Sequence, residues 1–166
     1  MSSETFATAI FLITAIVAAA VLVNAFFPII YQATSTFTQS SSSADERLRT
    51  DIKVINTFAD SPDARVWIKN IGSARIGKNS INMSDVFIGA EGDFTLVSLD
   101  LTDIPSNGEW NYSVIETDTN DYWDPRETLE ISIKSSKIPV TKGDYVYFSI
   151  ALPNGVNLAK TFTASG

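Results

Sequence analysis

The chain has 166 residues, 12 Lys and Arg against 19 Asp and Glu, neither His nor Cys, and a net charge of −7. Lack of Cys and His excludes disulfides, thiol nucleophiles, zinc fingers, His general bases and Ser-His-Asp triads. The acidic balance, with no basic run, also excludes a protein that seeks nucleic-acid phosphates.

The charge is unevenly spread. Residues 1–44 carry −1, residues 45–78 carry +2, residues 79–125 carry −10 and residues 126–166 carry +2. From Thr5 to Ala44 there is no Asp, Glu, Lys or Arg. Within that stretch Phe6–Tyr31 is interrupted only by Thr8, Thr14 and Asn24. As a helix it reaches roughly 39 Å, beyond the ~30 Å hydrocarbon core of a bilayer. Ser2 and Ser3 suit the first turn as caps, and Glu4 suits the positive end of the helix dipole. Pro28 predicts a kink or a junction, because it has no N–H and its ring crowds the preceding turn. A secretory signal peptide fits poorly: the run has no basic region before it, is too long, and is not followed by a small-x-small cleavage site. The remaining residues are too few to bury such a helix on all sides. The sequence therefore predicts a membrane or filament-core helix over residues 1–31.

Residues 32–50 form a Ser/Thr-rich segment that reads as a helical stalk or as a linker. Ala33, Phe37, Ala44, Leu48, Ile52 and Ile55 recur at helical spacings, which favours the stalk. The run Gln39–Ala44 favours the linker, because Ser competes with the helix for backbone hydrogen bonds. The first basic residues after the apolar segment are Arg47 and Arg49. By the positive-inside rule alone they place the C-terminal part in the cytoplasm.

From residue 51 to 166 the pattern has period 2. Leu129, Ile131 and Ile133 alternate with polar residues, as do Val146, Phe148, Ile150 and Leu152, and then Val156, Leu158 and Phe162. Further strands are expected over residues 52–58, 64–71, 85–88, 94–98 and 110–116. Pro153-Asn154-Gly155 predicts a hairpin with a type I′ turn. About eight short strands imply an all-β sandwich.

Candidate chemistry is sparse. Asp118, Asp121 and Asp124 lie in a polar stretch that reads as a solvated acidic loop or as a weak divalent-cation site. The 12-residue span Glu116–Glu127 has the length of a calcium loop but lacks its glycine and its flanking helices. No cofactor is expected. Trp67, Trp110 and Trp123 read as core or edge residues rather than ligand platforms. Asn82 and Asn111 each begin an Asn-x-Ser sequon and are possible N-glycosylation sites. The acidic block 79–125 reads as a partner-facing or cation-bridged surface, or as one adapted for solubility.

Several segments carry a resemblance: Thr8-Ala9-Ile10, Asn24-Ala-Phe-Phe-Pro-Ile-Ile-Tyr31, Arg49-Thr-Asp-Ile-Lys53 and Lys69-Asn-Ile-Gly72. Over residues 1 to about 80 the chain resembles the archaellum accessory protein G family, which shares its Val-x-Val-Lys-Asn-x-Gly element with archaellins and accessory protein F. The resemblance implies a pilin-like helix joined to an immunoglobulin-like sandwich outside the cytoplasmic membrane. It implies a non-enzymatic, stator-like role linking the motor to the surface layer. It also implies filament formation and accessory protein F as partner. That orientation opposes the one read from Arg47 and Arg49. The chain departs from filament-forming archaellins in having no Lys, Arg or Gly near its start, so no processing beyond removal of Met1 is expected. Helix assembly is expected through the small residues Ala15 and Ala19, with Asn24 bonding across or within helices. Glu4 meets either a neighbour's amino terminus or the dipole of its own helix. Three readings stay open: a structural anchor, a filament-forming archaellin-like or pilin-like subunit, and a membrane-tethered extracellular binding module or hydrolase.

Overall fold

The structure, a computed structural model, describes residues 2–102, 104–115 and 119–165. Two compact units divide the chain, Met1–Ala44 and Asp45–Gly166. The first is helical. Helix α1, Ser2–Arg49, runs 48 residues without a break, through Pro28 and through the Ser/Thr-rich stretch. Just before the serine run the hydroxyls bond back into the helix. Thr34, Thr36 and Thr38 donate to the carbonyls of Ile30, Gln32 and Thr34 at 2.8–2.9 Å. A hydroxyl bonded to the preceding turn no longer competes for the backbone N–H groups that a loop would need. The predicted helical stripe ends sooner than expected, because Ile52 and Ile55 lie in the first strand, not in the helix.

The second unit is a sandwich. Its strands are β1 (Ile52–Asp60), β2 (Asp63–Asn70), β3 (Ile76–Gly77), β4 (Asp85–Ala90), β5 (Asp93–Leu99), β6 (Glu109–Ile115), β7 (Tyr122–Trp123), β8 (Thr128–Lys134), β9 (Tyr145–Ala151) and β10 (Asn157–Thr163). A short helix, α2 (Lys78–Asn82), follows β3. Eight strands run in the order β1-β2-β8-β6-β5-β4-β9-β10, and β3 pairs separately with β7. The neighbours are antiparallel except β5 and β6, which meet in parallel at Ser98–Glu109 and Leu99–Trp110. That parallel step joins two antiparallel layers, β1-β2-β8-β6 and β5-β4-β9-β10. The inward positions predicted by alternation on β8 and β9 are buried, and those on β10 are half-buried. Val66, Ile68, Leu129, Ile131 and Ile133 of one layer are buried with Val86, Ile88, Val146, Phe148 and Ile150 of the other. Each contributes roughly 1.5–3 kcal/mol by leaving water.

Three local departures have physical causes. Ile55 is the extra residue of a bulge, since β1 and β2 shift register between Val54 and Asn56. The β9–β10 turn is not type I′. The Gly155 N–H bonds the Leu152 carbonyl at 2.9 Å, and in this turn only Gly155 has positive φ. Pro153, fixed near −65°, occupies the second position of a type I turn, leaving the left-handed step to the glycine after it. Gly89 faces Phe94 on β5 and Tyr147 on β9. Their rings close over it at 4.6 Å, and a Cβ there would sit 2.4 Å from the Asp93 carbonyl oxygen. At the end of the strand order, Lys160 of β10 lies opposite the buried Phe148, between Leu158 and Phe162, and is exposed.

Candidate functional site

Two regions can carry a function of assembly: the apolar helix and the place where its last turn enters the sandwich unit. From Ser3 to Arg49 the helix has no part of its apolar window buried by the chain. Its large side chains stay open, as at Phe11 and Ile16, 76% and 61% exposed. Among the residues singled out from sequence, Glu4, Ala15, Ala19 and Asn24 all lie on this helix, but not on one face. At about 100° per residue, Ala15 sits about 180°, Glu4 about 160° and Ala19 about 140° around the axis from Asn24. The helix therefore unites Glu4, Ala15 and Ala19 and sets Asn24 opposite them.

The last turn, Asp45–Arg49, belongs to the sandwich unit. Four backbone N–H groups in a row reach its end: Ile71 and Gly72 donate to the Asp51 carbonyl, and Ser73 and Ala74 to that of Arg49, all at 2.9–3.0 Å. A helix end leaves carbonyls unsatisfied, and the loop after β2 supplies the missing donors. Gly72 makes this possible. A Cβ at that residue would lie 2.4 Å from the Arg49 oxygen and 2.5 Å from the Asp51 nitrogen. Asn70 shapes the loop from beneath. It is fully buried; its amide donates to the Ala74 and Trp123 carbonyls and accepts from the Gly72 N–H. The motif Lys69-Asn-Ile-Gly72 is thus a helix-end receptor, a role that sequence reasoning did not assign. Thr50 adds a second tie. Its hydroxyl donates to the Glu46 carbonyl and accepts from the Asn154 amide.

The acidic candidates separate. Asp118 and Glu116 lie outside the described residues. Asp121 is exposed beside β7, and its carbonyl accepts from the Lys78 N–H. Asp124 is clamped by Arg75, whose Nε and Nη2 meet its two carboxylate oxygens while its guanidinium lies 4.4 Å over the Tyr122 ring. Arg75, with help from the Asn120 amide, holds the Asp124 carboxyl below its ordinary range. Among the described residues no group of three acidic side chains is arranged to hold a metal ion. Several acids of the block have local partners. Asp93 pairs with Lys137, Asp100 is held below its usual range by the Thr102 hydroxyl and N–H, and Glu109 accepts from the Ser106 N–H. Trp110 and Trp123 are buried, whereas half-buried Trp67 floors an open groove with Phe58, Ile104 and Pro105. Asn82 accepts from the Tyr112 hydroxyl at 2.6 Å, and the Asn111 amide donates to the Thr102 carbonyl.

The Asp124 clamp has a pH signature. A carboxyl with a depressed folded pKa stabilises above its unfolded value, and that contribution is lost as pH falls through the folded value. Acid should therefore loosen β3 from β7. Arg75→Gln should move the Asp124 titration upward toward the ordinary 3.8, measured by carboxyl NMR. An unmoved titration would show that Arg75 does not hold the charge. The clamp is partly exposed, so salt should weaken it.

A family model described as archaeal-type flagellin matches residues 2–162. A protein of Archaeoglobus fulgidus described as uncharacterized is 26% identical over 167 residues, covering 98% of this chain and 99% of its own. The archaellum periplasmic stator protein FlaG of Sulfolobus acidocaldarius is similar with TM-score 0.54 and 21% identity, covering 68% of this chain and 99% of that one. A chain of the FlaF and FlaG stator complex of the same organism gives 0.53 and 20%, with 67% and 87% covered. A chain of the archaeal flagellum of Methanospirillum hungatei gives 0.69 and 15%, with 96% and 93% covered.

Proposed function

Because the chain belongs to the archaeal-type flagellin family, we propose that it is a non-enzymatic structural component of the archaellum. It is held in the cytoplasmic membrane or among its own copies by α1. It serves as a static, stator-like link between the motor and the cell envelope. The observation that carries this reading is the helix itself: among the described residues none of its apolar window is buried, and lipid or sister helices would cover it. A rigid link also needs a firm helix end, and the backbone bonds to Arg49 and Asp51 provide one. The sandwich lies on the outer side of the membrane in this reading, against the weak pull of Arg47 and Arg49. Its partners are a protein related to FlaF, as in the stator complex of similar fold, and the surface layer, reached directly or through that protein.

A second reading is supported by a specific observation. The similarity to the Methanospirillum flagellum chain extends over 96% of this chain, helix included, which favours a filament subunit. Deleting the chain from its host separates the two. Loss of swimming with filaments still assembled supports the stator-like link. Loss of the filaments, together with this chain in purified ones, supports the subunit. Unchanged swimming and unchanged filaments would overturn both, leaving the tethered binding module, for which the Trp67 groove is the place to look.

A further inference from the structure

Three polar side chains interrupt Phe6–Tyr31, and the helix treats them differently. Thr8 and Thr14 donate to the carbonyls of Glu4 and Ile10, each at 2.8 Å. A hydroxyl satisfied in this way is no burden in an apolar medium. Asn24 is exposed and its amide makes no such bond. Its main-chain carbonyl lacks its regular donor as well. The donor that an α-helix aims at the Asn24 carbonyl is the N–H four residues on, and that residue is Pro28, which has none. One level of the helix thus holds two side-chain donors, a side-chain acceptor and a carbonyl without its regular partner. In lipid or in a dry helix core each unmet group is costly.

We infer that Asn24 and the carbonyl freed by Pro28 form a polar layer through which copies of this chain bond to one another, setting the helices parallel and in register. The occupant is a second copy for two reasons. An amide carries both donor and acceptor, so it complements itself. Helices of one chain that enter a membrane from the same side also bring Asn24 to the same depth. The Asn24 face then turns inward with Ile13, Val17 and Ala20, all within about 40° of it around the axis. The Glu4–Ala15–Ala19 face turns outward. A single buried Asn acts in this way in parallel coiled coils, fixing register at a cost in stability.

The inference rests on the assembly reading above, and the absence of native Cys gives a direct test. Single-cysteine variants V17C, A20C, A15C and A19C of the full chain would be oxidised in membranes of the expression host. A homodisulfide forms only where identical residues face each other at one depth. Cross-linked dimers should form about tenfold faster in V17C and A20C than in A15C and A19C. Adding Asn24→Leu should remove that difference, and Asn24→Gln should keep part of it. Cross-links favouring A15C and A19C, or a V17C and A20C advantage that survives Asn24→Leu, would overturn the Asn24 layer while leaving assembly intact. No cross-link at any position would overturn both.

Discussion

Gly72→Ala should destabilise the Asp45–Gly166 unit by about 3 kcal/mol and lower its thermal midpoint by about 10 °C. The added methyl would meet two main-chain atoms, the Arg49 oxygen and the Asp51 nitrogen. Neither belongs to a flexible side chain that can swing away. The loop must retreat, and the four N–H groups of residues 71–74 lose their acceptors. A lost hydrogen bond at these partly exposed residues costs about 0.5–1.5 kcal/mol net, so losing two or three of the four accounts for the figure. Gly92→Ala is the control. Gly92 has φ +86 but nothing within 4 Å of its Cβ position, so only backbone strain of about 1 kcal/mol is expected. Urea unfolding of residues 45–166 would rank the two, and amide exchange at residues 71–74 would locate the damage. Equal losses would show that conformation, not contact with the helix end, governs Gly72.

Ile16→Asp should strip the chain from membranes and assemblies. Moving from an apolar residue to a carboxylate at the centre of a spanning helix costs about 3–4 kcal/mol, a factor of several hundred in partitioning. Aspartate is too short to reach the interface as lysine does. Ile16→Thr should be nearly silent, because the hydroxyl can bond the preceding turn as Thr8 and Thr14 do. Flotation of membranes from cells expressing each variant reads the result. An Asp variant that floats like the parent would mean that the apolar stretch is not what holds the chain.

Much of the architecture was readable in the residues because it depends on local pattern. A charge-free run long enough to cross a bilayer, and period-2 alternation such as Leu129–Ile133, need no knowledge of tertiary contacts. The strands β3 and β7 have two residues each and so no period to detect. The clamp between Arg75 and Asp124 joins positions 49 apart, and nothing local marks either as a partner of the other. Asn70 was visible only as part of a recurring string. Its work, holding Ala74 and Trp123 from below, is a matter of chain segments that meet only after folding. At the Ser-rich run the local pattern left a stalk and a linker open, and helix α1 continues through it.

Lys160 has a consequence for life in a crowd. A terminal strand offers a ladder of free N–H and C=O groups to any similar strand that drifts beside it. A cation at a position where a zipped pair of sheets would want an aliphatic group must be dehydrated before such a pairing can close. Copies of the sandwich unit that meet edge to edge then resist fusing into a continuous ribbon.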